Sequence, residues 1–225
     1  MNATIKNLAK KYSSLLSGVY YHLMNNKVRG RKGNTFIRQN AYIRGLRLYF
    51  GEKGNSVIVG GTTPSTLAEC DINVYGSNNK IVIEEGCGFK NLTIYMGGDN
   101  NTIHIKRRTM IAGKTELAVM EGTKIIIGED SLFSANVTFR AGDSHSVIDA
   151  ESGVRLNKSK DIILGDHVWI GNTVIVTKGT VIGSHCVVAT GSVVTGKTFP
   201  DNCAIGGNPA KVVKEGISWC YEAIK

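Results

Sequence analysis

Proline is scarce in this chain, three residues in 225 against 27 glycines, and no uninterrupted apolar run approaches the roughly 18 residues that a membrane-spanning helix needs. The N-terminus also lacks the apolar core of a secretory signal. A soluble, cytoplasmic protein is therefore expected. Disulfide chemistry is thinly supplied: the five cysteines (70, 87, 186, 203 and 220) are odd in number, scattered and without a CxxC pair, which suits reduced thiols. No Walker-type or Rossmann glycine fingerprint is present. Acidic residues are missing from one region altogether. Residues 1–50 carry ten Lys and Arg and no Asp or Glu, whereas the remaining 175 are close to neutral.

What the sequence does contain is a period of six. Leu164, Ile170, Val176, Ile182, Val188 and Val194 recur every sixth position. Each is followed by a small or polar residue (Gly165, Gly171, Thr177, Gly183, Ala189, Thr195) and, four places on, by a compact one (Val168, Val174, Thr180, Cys186, Ser192, Thr198). Neither a helix nor an ordinary sheet needs that period. It fits a chain that runs straight, turns a corner and repeats, so three hexads close one triangular coil and successive coils stack as parallel strands roughly 4.8 Å apart.

Upstream the repeat takes a looser form. Asn55-Ser56-Val57-Ile58-Val59, Asn79-Lys80-Ile81-Val82-Ile83, Asn101-Thr102-Ile103-His104-Ile105 and Thr123-Lys124-Ile125-Ile126-Ile127 are versions of one phrase, at steps of 24, 22 and 22. These read as coils with enlarged corners in which Asn and Gly supply left-handed turns. An antiparallel sandwich with Asn/Gly hairpins is the alternative, and uneven spacing argues against it. The next step, Ile125 to Ile162, is 37, so an excursion of about fifteen residues leaves the solenoid over 144–160.

These hexads resemble those of the hexapeptide-repeat acyltransferases, and that resemblance, not the spacing, implies a left-handed parallel β-helix. The fold class expected is all-β: a hexapeptide-repeat solenoid over 46–210, preceded by a basic amphipathic helical segment (1–45) and followed by a tail or short C-terminal helix (211–225). In the N-terminal segment Ile5, Leu8, Tyr12, Leu15, Leu16, Val19 and Leu23 form the apolar stripe. It reads as a cap on the first coil, with docking to an anionic membrane surface or attraction of an acidic polymer as alternatives. Nucleic acid is not expected, for want of an aromatic-interleaved groove.

The chemistry of the family centres on a histidine at the mouth of the excursion. Here Arg140-Ala141-Gly142-Asp143-Ser144-His145 is followed 24 residues later by Trp169 in His-Val-Trp-Ile-Gly, and Arg155-Leu156-Asn157 lies between. This resembles capsular polysaccharide and sialic-acid O-acetyltransferases, although many relatives place Pro where Ser146 stands. The resemblance implies that His145 is a general base, removing a sugar hydroxyl proton and returning it to the departing thiolate without an acyl-enzyme. Asp143 reads as an orienting or acceptor-contacting carboxylate or as a turn cap, and the outward Trp169 as a wall of the thioester channel or as packing against a neighbouring subunit. Acetyl-CoA is the implied donor, held by Asn172, Thr190, Thr195, Lys197, Lys211 and Lys214. The resemblance implies a homotrimer and a carbohydrate acceptor; the basic segment suits an anionic polysaccharide or lipid-linked saccharide as that acceptor, with peripheral contact at the inner membrane as an alternative role for the segment. His167 and His185 read as corner residues. A zinc site is not expected, since no closely spaced histidine pair exists. N-acetylation of a nucleotide-linked amino sugar and a non-catalytic scaffold are the remaining readings.

Overall fold

A residue that must point inward every sixth position fixes a straight run of a few residues and then a corner. In the computed structural model, which describes residues 3–224 with the side chains of 3–11 and 14 outside the described residues, that constraint produces eight stacked coils with three faces. The first face is built from Lys27–Arg29, Arg47–Phe50, Asp71–Val74, Leu92–Gly97, Thr115–Met120, Val137–Arg140, Ile175–Thr177 and Val193–Val194, each parallel to the next. The second and third faces form a continuous larger sheet, joined where Ser56–Ala68 bends from one to the other.

The hexad reading is met position by position. Leu164, Ile170, Val176, Ile182, Val188 and Val194 are buried, and so are the fifth-place residues Val168, Val174, Thr180, Cys186 and Ser192, which turn inward at the corners. Thr198 departs from the pattern: it is exposed, and Phe199 takes the buried place opposite Ile182. The last coil is thus one residue shorter at Thr195-Gly196-Lys197. Close stacking at the corners accounts for the small residues, since a Cβ on Gly128 would lie 2.0 Å from the carbonyl oxygen of Gly165 on the next coil.

The looser phrases pair in register: Val57, Ile81, Ile103, Ile125 and Ile162 stand one above another and are fully buried. Asn78 and Asn100 adopt left-handed φ of 58° and 61°, as expected of corner residues. The asparagines that follow them do something more. The side chains of Asn34, half-buried, and of Asn55, Asn79 and Asn101, buried, form a ladder in which each carbonyl oxygen accepts from the backbone N–H of the equivalent residue one coil on, at 2.8, 2.9, 2.9 and 3.2 Å, ending at Thr123.

Two boundaries differ from expectation. Parallel pairing begins at Lys27 and not at Leu46, because Asn34-Thr35-Phe36-Ile37 is a further copy of the phrase, paired with Asn55-Ser56-Val57-Ile58. Its repeat is obscured by Arg38, Gln39 and a register shift between Gln39 and Ala41. At the other end no short C-terminal helix is present among the described residues. Ala210–Glu215 is a strand that folds back antiparallel on Cys203–Gly207, with β-branched Val212 and Val213 suiting an edge strand.

The N-terminal helix spans Ala3–Leu23 and lies against Thr35–Arg44. Its contacts come from an unexpected side. Ser13 Oγ donates to Asn40 Oδ1 (2.6 Å), Arg38 reaches Ser17 Oγ (2.9 Å), and Tyr20 and Tyr21 pack on Tyr42 and Phe36. Tyr12, Leu15, Leu16, Val19 and Leu23, expected to seat the helix on the first coil, face outward instead; the side chains of Ile5 and Leu8 lie outside the described residues. No described helix is long and apolar enough to cross a membrane. All five cysteines are free thiols, and the Sγ atoms of Cys186 and Cys203 approach to 3.5 Å.

Replacing Asn79 by Ala removes the acceptor for two donors of Asn101 and the donor to the carbonyls of Tyr75 and Gly98. Each buried group left without a partner costs about 1–3 kcal/mol, so Asn79→Ala is expected to lower stability by roughly 2–4 kcal/mol in urea unfolding followed by circular dichroism. An unchanged midpoint would show that the ladder carries no stability.

Candidate active site

The excursion leaves the solenoid at the edge between the first and second faces, after Arg140, and returns at Lys160, whose N–H donates to Ala141 (2.9 Å). It folds as an arm. Val147 and Asp149 pair antiparallel with Leu156 and Val154, and a tip turn is closed by Asp149 accepting from Ser152 (2.8 Å). Four apolar side chains of this arm, Val147, Ile148, Val154 and Leu156, are exposed.

The root of the arm is clamped from two coils. On one side Arg155 pairs with Glu121 (2.7 Å), which also accepts from the N–H of Ser159 (3.1 Å). On the other, Lys178 pairs with Asp143 and donates to the carbonyl of Asn157 (3.1 Å). Asn157 sits at the centre of the clamp: its amide donates to Asp143 Oδ2 (2.9 Å) and to the carbonyl of His145 (2.8 Å), and its oxygen accepts from the N–H of Val147 (2.7 Å). Arg140, held by Glu116 (3.0 Å), reaches Ser144.

His145 is therefore fixed through its backbone while its imidazole is exposed and makes no hydrogen bond with another described residue. An imidazole so placed is open to a hydroxyl from solvent. Asp143 does not orient it. The Lys178 ammonium, which donates to Asp143, holds that carboxyl below its usual range; partial burial opposes the effect and the Asn157 amide adds to it. Arg155 likewise lowers Glu121, with the Ser159 N–H helping. The clamp is thus made of ionised groups at neutral pH.

Trp169 starts the third-face strand of the same coil, half-exposed, its indole N–H 3.4 Å from Ser134 Oγ. The C-terminal tail returns to this edge. Trp219 stacks flat on His167 with centroids 4.2 Å apart, donates to the carbonyl of His167 (2.8 Å), and lies 6.0 Å from the Trp169 ring. The tail aromatic Trp219 is thus used within the chain. His167 and His185 occupy corners with φ of 57° and 60°, as read from the sequence.

The remaining candidates fall in separate places. Thr195 and Lys197 share the arm's edge on the last coil, Asn172 and Thr190 lie at the edge between the third and first faces, and Lys211 and Lys214 are exposed on the terminal strand. Asn172 has a local duty, accepting from the N–H of Ala135 (2.9 Å). Within one chain the whole second face separates the root of the His145 arm from Trp169.

Known proteins carry this architecture. Residues 161–196 match the family described as bacterial transferase hexapeptide (six repeats). Polysialic acid O-acetyltransferase of Neisseria meningitidis is 31% identical over 190 residues, covering 76% of this chain and 88% of that protein. The chain is a hexapeptide-repeat acetyltransferase. The solved structure of the polysialic acid O-acetyltransferase OatWY superposes with a TM-score of 0.80 at 30% identity, over 85% of this chain and 90% of that one. Polysialic acid O-acetyltransferase of Escherichia coli O1:K1 / APEC is 37% identical over 115 residues, but the match spans only 37% of that protein.

In this acetyltransferase, Lys178 and Glu121 are neighbours of the arm that the sequence did not reveal. Lys178 lies 35 residues from Asp143 and Glu121 lies 34 from Arg155, separations that follow from the length of the arm and from no motif. The Arg155-Leu156-Asn157 triplet did mark the clamp, although its role becomes visible only in three dimensions.

Because the folded Asp143 titrates below its ordinary value, its ion pair is intact above about pH 4 and is lost as pH falls through the lowered value. Hydrogen exchange should show arm amides of residues 143–157 protected at neutral pH and loosened below about pH 4. Lys178→Met should loosen them at neutral pH while leaving Val137–Arg140 protected. Equal protection in both proteins would remove Lys178 from the clamp.

Proposed function

We propose that this acetyltransferase moves the acetyl group of acetyl-CoA to a hydroxyl of an acidic surface polysaccharide or its lipid-linked precursor, with His145 as general base. The observation that carries the reading is the clamped arm: it presents an unpaired imidazole at a defined height on a rigid prism, in a chain similar over most of its length to polysialic acid O-acetyltransferases.

In the proposed step the sugar oxygen attacks the thioester carbonyl as His145 takes its proton. The tetrahedral oxyanion then collapses, the C–S bond breaks, and the imidazolium returns the proton to the coenzyme A thiolate. No acyl-enzyme is needed. The reading includes a homotrimer, since His145 and Trp169 lie on different edges of one chain and the arm's exposed Val147, Ile148, Val154 and Leu156 fit against a neighbour. Trp169 of that neighbour, with its indole N–H, then borders the thioester. Asn172 and Thr190 line the pantetheine, Thr195 and Lys197 lie beside the arm, and Lys211 and Lys214 supply charge for the phosphates. The basic first 50 residues favour an anionic acceptor or surface near the inner membrane.

Incubation with acetyl-CoA and a panel of polysaccharides, with free thiol as the readout, tests the assignment. The wild-type chain should release thiol with acidic polymers. His145→Ala should keep acetyl-CoA binding and lose turnover by about 10² or more, the usual scale for a general base. Turnover equal to wild type would sink the role of His145, and thiol release only with an amino-sugar nucleotide would replace O-transfer by N-transfer.

A further inference from the structure

The first face carries a column, accessible from Arg29 to Tyr95 and covered at Ala118 above it, that the proposed chemistry does not use. Register places Arg29 against Tyr49, Tyr49 against Asn73, Asn73 against Tyr95, Tyr95 against Ala118 and Ala118 against Arg140. Tyr75, in the adjoining row, bridges the two tyrosines of the column, its ring 5.6 Å from Tyr49 and 5.6 Å from Tyr95. All three rings are exposed by about 40%. At the foot of this ladder a groove of about 430 Å³ is lined by Lys27, Arg29, Arg47, Tyr49, Asp71, Asn73 and Tyr75, among others.

The charges in the groove are unevenly matched. Arg47 is paired with Asp71 (2.8 Å), whereas Lys27 and Arg29 are exposed and make no ion pair with a described residue. The groove therefore combines free cations, amide and carboxylate hydrogen-bonding groups, and flat aromatic faces with polar tips. That set suits a carboxylated sugar chain, whose ring faces pack on tyrosine and whose acid groups meet Lys and Arg. The direction of the column matters as much as its chemistry. It climbs five rungs, about 24 Å at the parallel-strand spacing, and ends at Arg140, five residues before His145.

We infer that this face is an acceptor track: a second binding site, remote from acetyl transfer, that holds several consecutive units of an acidic polysaccharide and leads the chain to the arm. The inference rests on the acetyl-transfer reading for its direction, but binding to the track requires no chemistry at His145. The track gives a long acidic chain an advantage over a short one, because only the long chain reaches both the basic groove and the arm. The attraction weakens as salt screens Lys27 and Arg29.

The test is equilibrium binding of a long polysialic acid chain, a sialic acid dimer and a neutral maltooligosaccharide by calorimetry, without acetyl-CoA, on the full chain. The long acidic chain should bind well above the other two and lose affinity with added salt. Tyr95→Ala and Arg29→Gln should each weaken it by about tenfold, with Tyr95→Leu as a variant that keeps apolar bulk and loses the ring face. In turnover, the same variants should lower the preference for long over short acceptor by about tenfold. His145→Ala should bind the long chain as wild type does. Unchanged binding in the variants, equal binding of the neutral chain, or a change of oligomeric state in Tyr75→Ala by sedimentation, which would mark the face as a subunit boundary, each overturns the track. Binding with no thiol release on any polysaccharide would instead overturn the acetyl-transfer reading and leave the track standing.

Discussion

Parallel rungs in register are the constraint on which the rest of this molecule depends. Once one coil is hydrogen-bonded to the next, each side chain has a fixed height along the axis and a fixed edge or face, and neighbours in space are one coil apart in sequence. The hexads enforce this where coils are small, through buried columns that tolerate no slip. Where coils are wider, aliphatic burial alone leaves corner amides without partners. The ladder from Asn34 to Asn101 answers that need, since each asparagine carbonyl ties the next coil's N–H and its amide ties nearby carbonyls. The ladder stops at Thr123, immediately before the coil that carries the arm.

How much of this was legible follows from how directly each feature is written as periodicity. The buried columns were readable because burial at one position per hexad admits few residue types. The first coil was not, because the register shift after Gln39 and the charged Arg38 break the alternation that would have exposed it. The chain's end, expected as a tail or short helix, becomes a strand for a related reason: an unpaired edge at Cys203–Gly207 offers five residues of backbone pairing, and that tertiary opportunity wins. The N-terminal stripe shows the reverse error. Helical periodicity was read correctly, yet the helix rests on the first coil through serine and tyrosine, leaving the stripe outward.

The site divides along the same line. His145 was singled out by the resemblance that its 24-residue spacing to Trp169 carries, a one-dimensional signal. Its setting was not, because the arm interrupts the register and hides which corners meet it. Asp143 illustrates the consequence: two residues before the histidine, it was a natural candidate to orient the ring, but the corner of the next coil places Lys178 against it first. The carboxylate then serves to hold the arm's root, and Asn157 converts that hold into a backbone hydrogen bond to His145. Orientation of His145, the proposed base, is thereby a matter of backbone placement, which a rigid prism supplies well, and not of a partner for the imidazole.

The 24-residue spacing from His145 to Trp169 gains a geometric meaning in these terms. Both residues belong to the coil that runs from Val137 to Ile170, one leaving at its first edge and the other standing on its third face. A rotation about an axis parallel to the solenoid preserves height. In a trimer built on such an axis, two residues of the same coil on different edges meet across the subunit boundary at one level, whereas residues from different coils do not. In the proposed trimer, the spacing thus encodes equal height and not proximity within a chain. The proposed acceptor track has the same logic turned through a right angle: its residues share one face and differ only in height, so they would guide a polymer along the axis toward the level at which, in the proposed trimer, His145 and the indole meet.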